Sequence, residues 1–360
     1  VFIKPFKKEL GPRQSTIYHR NLFIKGLALN SMKSQNIFLV ISLTCLVGFY
    51  VEANDHNEAM NPEEGVTVQK KSRFEFFKWR FTRTEPDRVT IDISNEWQDF
   101  NLAAETNYTV WIGHSTFLVN NGDLTILFDP IFSKYASPVS FAGPKRLIAP
   151  AMQIADLPKV DVVAISHNHY DHLDIPSLKA IYKSQPHTMF LVPKGDKKLL
   201  NKHGIENVQE FDWWDSFQLN HSEFHFVPVK HWSARTPWDT NESLWGGWVT
   251  TSHSYNLFHA GDTGYSDIFI TIKEKFKEID YAFLPIGAYS PRYFMKNSHV
   301  NPEEALQVSK DLSPKKSFGM HWGTFILSDK PVLDAKIQIE AKRGDLDSES
   351  AVPGREDVLD

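Results

Sequence analysis

Residues 166–174 read SHNHYDHLD, and they follow the apolar run VDVVAIS (160–166). Three histidines and two aspartates in nine residues mark either a turn-rich polar loop or half of a metal site. The spacing favours the second reading. His167 and His169 are two apart at the end of a continuous β-branched run, which reads as a buried strand. In extended backbone, residues i and i+2 point the same way, so both imidazoles can face one ion. Asp171 and His172 lie where the chain turns into a helix predicted over 175–184, and can serve a second ion.

That motif leaves both ions short of ligands, and the ends of other apolar runs supply candidates. His231 follows FVPVK, Asp262 follows LFHA, and His321 follows SFGM. Together they predict two sites. His167, His169 and His231 hold one ion, Asp171, His172 and His321 the other, and Asp262 bridges. With a single cysteine, Cys45, neither a disulfide framework nor a thiolate cluster is available. Nitrogen and oxygen donors suit two Zn²⁺ ions, and leave iron or manganese open. Such a pair is expected to carry a metal-bridging hydroxide, a nucleophile at neutral pH.

Composition bounds the rest. The 360 residues are 41% hydrophobic and 23% charged, a globular balance with ample core material. A net charge of −5 argues against a nucleic-acid partner. Met32, a basic start and the apolar run 37–51, ending at Ala53, have the layout of a signal peptide or anchor, with 1–31 read as upstream sequence. A secretory or endomembrane location is therefore expected, and the sequons at Asn107, Asn220 and Asn241 are compatible with it. Residues 54–104 read as a linker followed by RFEFFKWRFTRTEPDR (73–88). That stretch is either a peripheral helix docked on the domain or an interfacial segment at a membrane surface. A single structured domain is expected to span 105–328. It opens with strand-like runs split by a hairpin signal at 120–123, then alternates strands with helices, including one capped by Asn301-Pro302. This is an α+β pattern, two β-sheets sandwiched between helices. Residues 329–360, charged and poor in apolar side chains, are expected to be disordered.

SHNHYDHLD with KHW, AGDTGY and MHWGT resembles the metallo-β-lactamase superfamily, an αβ/βα sandwich. SPVSFAGPKR (137–146), EFDWWD (210–215), LWGGW (244–248), PIGAYSPRYFMKNSHVNPEEA (285–305) and HWGTF (321–325) narrow the resemblance to the N-acylphosphatidylethanolamine-hydrolysing phospholipase D family. It implies a zinc-dependent phosphodiesterase that releases N-acylethanolamine and phosphatidate, with the same seven ligands. Asp171 and His299 become catalytic candidates, and Lys145, Arg146, Arg292 and His299 candidates for binding substrate. The loop before GPKR departs from the family at Ser140-Phe141, and the residues beyond about 330 do not match its closing helix and strand. The expected partners are a phospholipid substrate and a membrane surface, with a homodimer left open. Two alternatives stay open: a lactonase or other ester hydrolase on the same sandwich, and an inactive secreted lipid- or metal-binding protein.

Overall fold

The structure, a computed structural model, describes residues 78, 79, 81–351 and 355–359. The apolar run 37–51 lies outside them, and no helix among the described residues is long and apolar enough to cross a membrane. Two seven-stranded mixed sheets pack face to face. The first is built from β1 (Tyr108–Gly113), β2 (Thr116–Asn120), β3 (Thr125–Phe128), β4 (Val162–Ala164), β5 (Met189–Pro193) and β6 (Val208–Phe211). The second contains β7 (Ser216–Leu219), β8 (Ser222–Val227), β9 (Gly247–Thr251), β10 (Leu257–His259), β11 (Tyr281–Pro285), β12 (Lys316–Met320) and β13 (Ser348–Ser350). β14 (Glu356–Val358) then returns to the first sheet, antiparallel to β1. Each sheet is antiparallel at its start and parallel afterwards.

The parallel steps need crossovers, and helices supply most of them. α1 (Ile175–Ser184) links β4 to β5 and α2 (Lys197–Lys202) links β5 to β6. In the second sheet, α3 (Ile268–Phe276), then α4 (Arg292–Met295) with α5 (Pro302–Leu312), then α6 (Asp334–Lys342) do the same. The predicted caps form. Asn301 and Glu304 exchange side-chain-to-backbone bonds at the start of α5, and Asp174 accepts from Ser177 N at the start of α1. The last acidic residue of SHNHYDHLD is thus a helix cap.

Alternation along the central strands decides the layers. Phe117, Val119, Ile126 and Phe128 face the core between the sheets with Trp248, Phe258 and Phe283. Leu118, Leu127, Val163 and Ile165 face the opposite way, onto Leu178 and Ile181 of α1. Both faces are buried, which is why these runs carry no polar alternation. The three sequon asparagines all sit at positive φ, Asn107 at 59°, Asn220 at 53° and Asn241 at 61°. Asparagine tolerates that conformation better than most residues.

One expectation is corrected here, and one open alternative is decided at Trp79. Residues 329–351 and 355–359 are ordered: α6 packs Ala335 and Ile339 into the core, β13 extends the second sheet and β14 the first. Their charges pair with one another instead of facing water alone. Lys316 on β12 reaches Glu349 at 2.8 Å and Asp357 at 3.3 Å, and Arg355 contacts the same two carboxylates. Of the two readings of the 73–88 stretch, Trp79 follows the docked one. It is buried, stacks on Phe294 with ring centroids 5.5 Å apart and donates its indole N–H to Asp329 at 2.8 Å. Its ring is docked on the domain, not offered to a bilayer; Phe81 beside it is exposed.

Candidate metal centre

One edge of the sandwich collects the strand ends. His167 follows β4, His231 follows β8, Asp262 follows β10 and His321 follows β12. Two glycines make the approach possible. Gly261 has φ +58°, and a Cβ there would lie 2.5 Å from Ser166 Cβ, beside His167. A Cβ on Gly287 would lie 2.0 Å from the carbonyl oxygen of His321. Any side chain at either position would push a strand end out of the cluster.

All seven sequence-predicted ligands meet there. His167, His169 and His231 form one group whose donor atoms lie within 4.8 Å of one another, and Asp171, His172 and His321 belong to a second. Asp262 sits between them. Its Oδ2 is 3.3 Å from His172 Nε2, 3.1 Å from His321 Nε2 and 3.9 Å from His231 Nε2. His299 borders the cluster, with Nδ1 3.7 Å from the same oxygen and its ring edge-on to His231.

The donor chemistry fits cations. His231 donates Nδ1–H to Ser298 O at 2.9 Å, and His172 donates Nδ1–H to Asp129 Oδ2 at 2.7 Å. Ser166 Oγ–H donates to Asp129 Oδ2 at 2.6 Å, so Ser166 Oγ accepts from His167 Nδ1–H at 2.9 Å. Each of these bonds fixes the tautomer that leaves Nε2 as a lone pair facing the cluster. His172 Nε2, His321 Nε2 and Asp262 Oδ1 are buried with no hydrogen-bond partner among the described residues, an expensive arrangement unless something else uses them.

Electrostatics agree. Burial lowers His167 well below the usual imidazole range, helped by His172, His169 and His231. Burial would raise Asp171 and Asp262, yet neighbouring histidines hold both well below the usual carboxylate range. Burial would lower His321 too, but Asp262 and Asp171 raise it to about 9. Burial would lower His172 as well, but Asp262, Asp171 and Asp129 raise it well above the usual imidazole range, so the carboxylates favour positive charge at the cluster.

The basic candidates are placed differently. Lys145 is exposed. Arg146, expected at substrate phosphate, is buried: it donates to the carbonyls of Ser133 and Ile131, with its guanidinium 5.0 Å from the Phe325 ring. Its role is to brace the 131–146 loop. Arg292 donates to His299 O at 2.7 Å and pairs with Glu304 at 2.6 Å, which fixes the backbone of His299 and satisfies the guanidinium internally.

Sequence reading missed four contributors. Asp129, at the end of β3 in LFDP, orients His172 and Ser166 as described. Its signal is the same strand-end rule. Arg235 clamps the metal loop by donating Nη1–H to both Asn168 O and Leu173 O at 2.8 Å. His114, after β1, lies 2.9 Å from Asp171 Oδ2. Asp196 accepts from Asn168 Nδ2 at 3.0 Å and from Ser243 Oγ at 2.8 Å beneath the same loop.

Asp196 yields a stability prediction. Burial pushes its carboxyl from 3.8 up to about 7. A raised carboxyl contributes stability below its unfolded pKa and loses it as pH rises through the folded value. Asp196→Asn therefore gains on wild type as pH rises from about 4 to about 7, then levels off at about 2–4 kcal/mol. Denaturant melts of both proteins across that range measure it; a pH-independent difference would contradict it.

Comparison with known proteins agrees with this geometry. A model of the beta-lactamase superfamily domain matches residues 125–322. The chain is 42% identical over 241 residues to the mitochondrial N-acyl-phosphatidylethanolamine-hydrolyzing phospholipase D of Saccharomyces cerevisiae, covering 65% of this chain and 51% of that protein. It is 40% identical over 246 residues to N-acyl-phosphatidylethanolamine-hydrolyzing phospholipase D 1 of Caenorhabditis elegans, covering 66% and 69%. The chain thus spans about half the length of the yeast relative. Among solved structures, the metallo hydrolase Igni18 of Ignicoccus hospitalis shares the fold at TM-score 0.53 and 23% identity, over 69% of this chain and 97% of its own. An isothiocyanate hydrolase from Delia radicum gut bacteria does so at 0.56 and 18%, over 69% and 98%. With its sandwich, its strand-end histidines and these matches, the chain belongs to the beta-lactamase superfamily and, within it, to the family of N-acyl-phosphatidylethanolamine-hydrolysing phospholipases D.

Proposed function

We propose that the chain is a phospholipase D-type phosphodiesterase that hydrolyses N-acylphosphatidylethanolamine to N-acylethanolamine and phosphatidate. The observation that carries this reading is Asp262 Oδ2 set between two groups of imidazoles, the arrangement a pair of cations needs. The activity for which the yeast and nematode relatives are named supports the substrate class. His167, His169 and His231 would hold one ion, Asp171, His172 and His321 the other, with Asp262 shared; the nitrogen and oxygen donors suit zinc. Such ions, when bound, offset phosphate charge and make water acidic enough to attack at neutral pH.

The chain's own groups complete the reaction. Asp171 accepts a hydrogen bond from the attacking water and aims it at phosphorus. The bond from phosphorus to the ethanolamide oxygen breaks as the bond to the water oxygen forms. His299, 13% exposed at the rim of the cluster, is placed to give the departing oxygen its proton. Incubating the zinc-loaded full chain with N-acylphosphatidylethanolamine and, separately, with a homoserine lactone tests the reading. Release of N-acylethanolamine is expected; consumption of the lactone alone would favour an ester hydrolase.

A membrane surface is the proposed second partner. Phe141, Trp238 and Tyr293 are 71%, 70% and 67% exposed. Phe141 lies on the loop that Arg146 braces, Trp238 on the loop after Arg235, which clamps the metal loop, and Tyr293 in α4 beside Arg292, which holds the His299 carbonyl. Aromatic rings of this kind partition into the headgroup layer. Replacing all three by Ser should weaken binding to phosphatidylcholine vesicles at least about tenfold. Turnover of a water-soluble phosphodiester should be unchanged. Undiminished vesicle binding would refute the surface.

A further inference from the structure

We propose that His114 is a positioning residue for the ion site built by Asp171, His172 and His321, donating its Nε2–H to Asp171 Oδ2 while its backbone anchors the His321 loop. This rests on the reading of the cluster as a metal centre. The contact is 2.9 Å, and a carboxylate oxygen can only accept, so the proton sits on Nε2. The same Asp171 oxygen lies 3.4 Å from His321 Nε2 and 3.6 Å from His172 Nε2. It is therefore the oxygen turned toward the cluster, and His114 holds it there. The ring is 1% exposed, 4.0 Å centroid to centroid from His321 and edge-on to Phe325.

The backbone of His114 is tied as tightly as its ring. Its N–H donates to Thr324 Oγ1 at 2.7 Å. Its carbonyl accepts from His321 N at 3.0 Å and from Trp111 Nε1 at 2.8 Å. One residue thus joins the end of β1 in the first sheet, the His321 loop of the second, and the Asp171 loop. His114 also holds φ at +58°, a left-handed conformation that crowds the Cβ of any residue but glycine. Residues are kept in such a conformation where surrounding contacts over-determine it, and here those contacts are two ligand-bearing loops. The donor atoms of His114 also lie within 4.8 Å of those of Asp171, His172 and His321. A role as direct ligand is therefore the rival to be separated from hydrogen-bond donation.

Two variants of the full chain make the separation. H114N suits the positive φ and is too short to reach Asp171. H114Q places an amide N–H close to where Nε2 stood. Co²⁺ titrations followed by visible absorption, with circular dichroism confirming fold, read ion affinity and coordination without turnover. The wild type should bind two equivalents. H114N should weaken the second ion about 10–100-fold, the range for loss of a hydrogen bond to a ligand, and alter its absorption band. H114Q should recover affinity to within a few-fold and restore the band. H114N binding like wild type would overturn the proposal. Equal loss in H114N and H114Q would overturn it in favour of direct ligation. A wild type that takes up no Co²⁺ would instead defeat the metal-centre reading beneath it.

Discussion

Asp171→Asn folds and loses more than roughly 100-fold in phosphodiesterase turnover. Removing a hydrogen-bonding partner of a metal ligand already costs about 10–100-fold in affinity or activity, and Asp171 is proposed as a ligand. The substitution keeps volume and keeps an oxygen for His114, so packing survives. It removes the charge that His172, His114 and His321 all stabilise. The second ion then loses one of its four protein ligands, counting the shared Asp262, and the attacking water loses its acceptor. Ion content by elemental analysis and turnover on the lipid should fall together. The ion-free variant should also melt lower than ion-free wild type at neutral pH. A depressed carboxyl contributes stability above its unfolded pKa and loses it as pH falls, and Asn cannot contribute it. Near wild-type turnover would defeat the two-ion site.

Ending the chain after Ser328 abolishes folding. The deletion removes α6, β13 and β14, and with them the buried side chains of Ala335, Ile339, Ala351 and Leu359. Each large side chain fully buried contributes about 1.5–3 kcal/mol. The deletion also opens an edge on each sheet, at β1 and at β12, whose unpaired backbone groups invite association. Trp79 loses Asp329 as its acceptor. Against a typical total of about 5–15 kcal/mol, that is ruinous. Soluble yield and a far-ultraviolet circular dichroism melt of residues 1–328 measure it. A soluble fragment with a cooperative melt near that of the full chain would show the segment to be dispensable.

Much of this molecule was legible before any coordinates. Apolar runs marked β3, β4 and β11, and Asn301-Pro302 marked the start of α5, because capping and alternation act within a few residues. The same locality made SHNHYDHLD readable: His167 and His169 share a direction because they leave a strand together. The strand-end rule found His231, Asp262 and His321, and applied once more it would have found Asp129 in LFDP and His114 in WIGH.

Sequence alone therefore determined the identity of the seven clustered side chains and the layered fold that gathers them. The tertiary structure decided what surrounds them. Arg146 is a loop brace because the carbonyls of Ser133 and Ile131 are folded over it, not because of anything in GPKR. Asp196 is pushed up to about 7 because α2 begins beneath the metal loop. The charged C-terminal segment is ordered because Lys316, more than thirty residues upstream, stands between Glu349 and Asp357. Charge and low hydropathy describe a segment in isolation, whereas order depends on partners that only the assembled sheets bring within reach.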